Sequence, residues 1–160
     1  MDFAVVSTDT IVRMKKRTTI VLNTQRIIDP GITEHCALLN GVPGVSVLWS
    51  CEGHLIEAGK PEKKPYLVLA CSQQGRAFLA ALFRNLLSDP VDNYTEIGLT
   101  QLELPWVGND ADYATAYSDK PEDYYYAWSI RCIVSGELDI YRAEREMWLD
   151  AIKKTIKQFS

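Results

Sequence analysis

The pattern of apolar and polar positions along the chain switches several times between a period of two and a period of 3.6, with Gly, Pro or Asp at each switch. Helices and strands mixed in one domain are predicted. The β-branched run Thr18 to Leu22 (TTIVL) predicts a strand, with another expected at Phe3 to Val6. Asp29-Pro30-Gly31 opens a short helix to Asn40, in which Ile32, Cys36 and Leu39 share a face, and Gly41 ends it. Val45 to Cys51 (VSVLWSC) alternates, which puts Val45, Val47, Trp49 and Cys51 on one face and Ser46, Leu48 and Ser50 on the other. Tyr66 to Cys71 (YLVLAC) is almost wholly apolar, as expected of a strand covered on both faces.

Ser72 is a candidate cap for the next helix, whose core stripe is Phe78, Leu79, Leu82, Phe83 and Leu86. Thr95 to Leu104 predicts a strand with Gly98 as a bulge, and Tyr124 to Val134 predicts another. Between them residues 105–123 show no periodicity and read as a long loop. Residues 139–159 close the chain as a helix with Tyr141, Trp148, Ile152, Ile156 and Phe159 on its apolar side. The order β-α-β-β-α-β-β-α predicts one α+β domain over residues 1–160, with a mixed or antiparallel sheet of about five strands and helices packed on it. Residues 1–17 read as a peripheral extension of that domain.

Apolar residues make up 47% of the 160 and charged residues 24%, enough for an independent core and too apolar for a disordered chain. Seventeen basic against twenty-one acidic residues give a net charge of -4, which disfavours salt-driven binding to duplex DNA and leaves a small anionic ligand open. The longest apolar run, Ala77 to Phe83, has seven residues, far short of the ~20 that span a membrane. The opening MDFAVVSTDT lacks a basic stretch before an apolar block, so a cytoplasmic location is expected. Cys36, Cys51, Cys71 and Cys132 contain no C-x-x-C pair and read as free thiols.

Candidate chemistry concentrates at Ser50-Cys51-Glu52-Gly53-His54 (SCEGH), where a strand ends and a turn begins. Gly53 permits a positive φ, and the amides of Gly53 and His54 are expected to converge on an anion as a small nest. Cys51 and His54 have C-x2-H spacing, and His35-Cys36 supplies an adjacent pair of soft ligands. Cys36, however, is in phase with Ile32 and Leu39, and Cys71 and Cys132 belong to apolar strands. No metal set and no cofactor is therefore expected. A thiol nucleophile at Cys51 would need His54 as its base, yet the alternation of the strand points Cys51 inward and His54 outward, so no catalytic residue is assigned. Arg131 lies on the face opposite Trp128, Ile130, Cys132 and Val134, where a guanidinium takes either a carboxylate or a bound phosphate. Arg26 is a second candidate for that role. Trp106, Tyr113, Tyr117, Tyr124, Tyr125 and Tyr126 offer faces on which a base could stack.

The stretch from Ile27 to Leu69, with PGI, LLNG, VLWSCEGH and PYLVLA in that order, resembles small bacteriophage proteins marked by an S-C-x-G-H strand end. Asn40, Gly41, Cys51, Gly53, His54 and Tyr66 occupy the matching places. Ser50 to Gly53 is also remotely similar to the S-C-S-G turn of wybutosine-synthesis tRNA methyltransferases, which carry Arg in place of His54 and Ser in place of Glu52. Both resemblances imply a ligand pocket at the strand tip with nucleotide-like chemistry. The expected function is binding, or sequestration, of a small nucleotide-like anionic ligand by Asn40, Ser50, Cys51, Glu52, Gly53, His54, Tyr66 and Arg131. In a phage setting this would be counter-defence in the host cytoplasm. Two other classes stay open: an enzyme acting on a nucleotide or RNA, hydrolase or methyltransferase-like, through Cys51, Glu52 and His54, and a protein-protein inhibitor using loop 105–123. Self-association is left open as well.

Overall fold

The computed structural model describes residues 4–24, 28–57, 59–88, 94–103, 124–134 and 136–160. In chain order the elements are α1 (Thr8–Thr24), α2 (Thr33–Asn40), β1 (Val45–Cys51), β2 (Tyr66–Cys71), α3 (Arg76–Leu87), β3 (Thr95–Glu103), β4 (Tyr124–Cys132) and α4 (Leu138–Gln158), with short 3-10 turns before α2 and α3. The chain is one α+β domain. Its sheet has four strands among the described residues, not five, in the order β1-β2-β4-β3 with every pairing antiparallel. Loop 105–123, with Trp106, Tyr113 and Tyr117, lies outside the described residues, as do Phe3, Arg26 and the side chains of Tyr124 and Tyr125. No helix among the described residues is long and apolar enough to cross a membrane.

Two apolar clusters sandwich the sheet. On one face Ile32, Cys36 and Leu39 of α2, the α3 stripe, and Tyr141, Trp148 and Ile152 of α4 pack against Val45, Val47, Leu67, Leu69 and Ile130. On the other face Ile11 and Met14 of α1 pack against Leu48, Ala70 and Ala127. Residues 8–17, expected at the periphery, thus supply one of the two layers. Phe159, assigned to the apolar side of α4, is half exposed and packs edge-to-face with Phe78, with centroids 5.5 Å apart.

The strand expected at Thr18 to Leu22 is instead the second half of α1, a helix of 17 residues. Ser7 caps it, its hydroxyl accepting from the Thr10 amide at 3.1 Å, and Asp9 complements the dipole in the first turn. Ile11, Met14, Thr18 and Val21 recur at helical spacing and are all buried. The preference of Thr18 for a strand is overridden in a helix that offers its hydroxyl acceptors on both sides, Met14 O of α1 at 3.0 Å and Val47 O of β1 at 2.6 Å. Ala4 to Ser7 likewise forms no strand, although Val6 N donates to Cys71 O at 2.8 Å.

α1 also protects the exposed edge of the sheet. Along edge strand β1, three carbonyls accept from α1 side chains: Val45 from Lys15, Val47 from Thr18 and Leu48 from Arg17, at 2.7, 2.6 and 2.7 Å. The Lys15 ammonium bonds Asn40 O and Val42 O too, at 2.5 and 2.7 Å, and so terminates α2 together with the Gly41 amide. Gly98 makes no bulge, since β3 pairs with β4 in regular register. The irregularity falls in β1, where Val47 pairs with Leu69 and Trp49 with Val68, leaving Leu48 as the extra residue. Ser72 makes no side-chain cap, and a 3-10 turn at Gln73–Gly75 leads into α3 instead.

Candidate functional site

The Leu48 bulge decides what the end of β1 presents. An extra residue reverses the alternation beyond it, so Trp49 and Cys51 leave the face of Val45 and Val47 and join that of Val68 and Tyr66. The expectation that Cys51 points into the main core beside Val47 is therefore corrected. Cys51 is buried but belongs to neither apolar cluster. It meets two residues from outside the strand's own alternation, Asp29 and His54, and one ligand atom from each of the three lies within 4.8 Å of the other two.

Local structure sets this geometry. Pro30 starts the 3-10 turn that precedes α2 and holds Asp29 extended just ahead of it, at φ -59° and ψ 137°. The Asp29 carboxylate reaches the end of β1, where Oδ2 accepts from the Glu52 amide and contacts His54 Nε2, both at 3.1 Å. Gly53 turns the chain at φ +94°, as the sequence predicts. His54 then pairs with Lys63 through two backbone bonds of 2.7 and 2.9 Å, the first bridge of a short hairpin that also joins Glu57 to Lys60. The anion nest does not form: the His54 amide is committed to Lys63 O, and the Gly53 amide donates to Cys51 Sγ at 3.4 Å. Burial pushes the Cys51 thiol up from its ordinary value, outweighing the Gly53 amide, so the group is a thiol rather than a thiolate at neutral pH.

The other predicted residues divide between this point and elsewhere. Tyr66 pairs with Cys51, and Arg131 pairs with Tyr66 on one side and Glu96 on the other, so the four form a row across one face of the sheet. Arg131 has its carboxylate, an ion pair with Glu96 in which both side chains are about half exposed, at 53% and 49%. Glu52 is tied down: its Oε2 accepts from the Gly31 amide at 2.6 Å and its carbonyl accepts from the Arg145 guanidinium. Ser50 pairs with Leu67 and turns toward the Cys36 thiol. Asn40 stands at the far end of α2 and bonds Thr19 Oγ1 of α1 at 3.1 Å, remote from SCEGH. His35 and Cys36 do not complete a metal set with Cys51, since Cys36 is in the core and His35 Nε2 bonds Arg145 O at 2.7 Å. All four cysteines are free and buried.

Beside the trio an open cleft of about 550 Å³ is lined by Glu62, Lys63, Lys64, Pro65, Tyr66 and Arg131, together with Cys132 and Ile133. The Glu62 carboxylate accepts from the Tyr141 hydroxyl and from the Gly136 amide at 2.9 Å. The other charged residues lining the cleft are two lysines and an arginine, while burial and also the charge of nearby Asp29 push the Tyr66 hydroxyl up. Asp29 is the site residue that sequence reasoning missed. Its signal was Asp-Pro-Gly at a helix start, which reads as a turn and says nothing of the strand it will meet. No family model, curated protein or solved structure matches the chain.

Proposed function

We propose that this protein binds a small anionic ligand bearing an aromatic ring, of the nucleotide class, in the cleft beside the SCEGH turn. The observation that carries the reading is the lining of that cleft, where three basic residues, Lys63, Lys64 and Arg131, stand with one acid, Glu62, and the half-buried Tyr66. Its volume of about 550 Å³ falls within the range of small-molecule sites. Lysine and arginine supply the charge-assisted bonds a phosphate needs, and a tyrosine face stacks on a base for about 1–3 kcal/mol. Arg131 keeps donors to spare beyond its bond to Glu96, because a guanidinium carries five N–H groups. Binding is favoured over turnover because burial holds Cys51 as a thiol and Glu52 is anchored to Gly31. The likeness of SCEGH to the phage S-C-x-G-H proteins makes a host signalling nucleotide, held and not degraded, the matching role.

Calorimetric titration of the full chain with mono-, cyclic and oligonucleotides tests the reading. At least one class is expected to bind, and Arg131→Ala and Lys63→Ala each weaken it by about 1.5–3 kcal/mol, roughly ten- to a hundredfold or more. The ligand is recovered intact. Absence of binding at millimolar nucleotide, or affinity unchanged in both variants, refutes the proposal. Consumption beyond one equivalent of protein establishes an enzyme instead.

A further inference from the structure

We infer that Asp29, Cys51 and His54 form an open binding site for a divalent transition-metal ion of the zinc type. The inference rests on the geometry of these three side chains and holds whether or not the neighbouring cleft takes a nucleotide.

The donor set is a carboxylate oxygen, a thiol sulfur and an imidazole nitrogen, the three ligand types zinc takes. Bonds of about 2.0–2.2 Å to O and N and about 2.3 Å to S, at tetrahedral angles, put the ligand atoms roughly 3.3–3.7 Å apart. Here they lie within 4.8 Å of one another, with Asp29 Oδ2 and His54 Nε2 separated by 3.1 Å. Small side-chain rotations close the remaining gap.

Two backbone amides already orient the ligands, as outer-shell donors do in metal centres. Glu52 N–H points at Asp29 Oδ2, and Gly53 N–H at Cys51 Sγ. Burial is graded across the trio, with Cys51 inside, Asp29 intermediate and His54 exposed. An ion would therefore sit at the surface end of the group with a coordination position facing solvent. That arrangement differs from a closed four-ligand structural site. On loading, bonds form from Sγ, Nε2 and Oδ2 to the ion and the Asp29–His54 hydrogen bond breaks. The thiol proton leaves to solvent, and the neutral imidazole gives up the Nε2 proton it had donated to Asp29 and takes one on Nδ1 through solvent, with no net change at the ring. One proton is released per ion, and binding weakens as pH falls.

The test uses the full chain, stripped with chelator and titrated with Co2+ and then with Zn2+. The expected result is one equivalent of Co2+ with a thiolate-to-cobalt charge-transfer band, displaced by Zn2+. Cys51→Ser abolishes the band, and Asp29→Asn and His54→Gln each weaken binding tenfold or more. X-ray absorption of the zinc-loaded wild type gives a second reading that requires no variant to fold: one sulfur near about 2.3 Å together with N/O ligands at about 2.0–2.1 Å. No uptake at millimolar metal, a band that survives in Cys51→Ser, or a zinc shell without sulfur overturns the inference.

Discussion

Replacing Gly53 by alanine tests the turn that carries His54 to Asp29. Two separate costs apply. At φ +94° an L-residue is strained by about 1–2 kcal/mol. A Cβ there would also lie 2.8 Å from Pro65 Cγ, Pro65 Cδ and Tyr141 Cδ2. Neither neighbour gives way easily, because the proline ring is rigid and Tyr141 is fully buried with its hydroxyl bonded to Glu62. Overpacking of this kind costs about 1–3 kcal/mol, while the stiffer unfolded chain returns about 0.4–1 kcal/mol. The net loss is about 2–4 kcal/mol. Gly59 is the control, since its φ is +80° but nothing lies within 4 Å of its Cβ position. Gly59→Ala bears only the conformational cost and loses about 1 kcal/mol or less. With a urea slope of about 2 kcal/mol/M, the midpoint falls by roughly 1–2 M in Gly53→Ala and by under about 0.5 M in Gly59→Ala. Urea titration followed by circular dichroism reads both. Coincident midpoints for the two variants would show that the Gly53 site is not close-packed and would refute the reasoning.

Phe83, buried on α3 with its ring 5.3 Å from that of Trp128, is expected to cost about 3–5 kcal/mol on change to alanine, and a loss below about 1 kcal/mol in chemical unfolding contradicts the core assigned here. Glu144 gives a pH signature. Burial pushes its carboxyl above the ordinary 4.5 although the Tyr94 amide and Thr95 hydroxyl pull the other way. The folded chain therefore binds the proton more tightly than the unfolded one, and stability is lost as pH rises from 4.5 through the folded value. Glu144→Gln removes that loss, so its urea midpoint should gain on the wild type between about pH 4.5 and 7. A difference that does not vary with pH refutes the assignment.

Strands β1 and β2 and the apolar stripes of α3 and α4 were legible in the sequence because each buries a face whose period the chain repeats locally. The need for glycine at position 53 and the face carrying Arg131 were legible for the same reason, since both depend on the strand that contains them. α1 was not legible from the β-branched run alone. The Thr18 hydroxyl bonds Met14 O within the helix and also Val47 O, a contact 29 residues away that the run itself does not show. Nor could the Leu48 bulge be read, because no glycine marks it and its carbonyl is met by Arg17, 31 residues away. The same shift moved Cys51 off the main core face, and the turn at Pro30 brought in Asp29 from 25 residues before His54. Periodicity reports which residues share an element's face. Convergence of Asp29, Cys51 and His54 depends on the register between elements, which packing of α1 and α2 against the edge of β1 sets only in the folded chain.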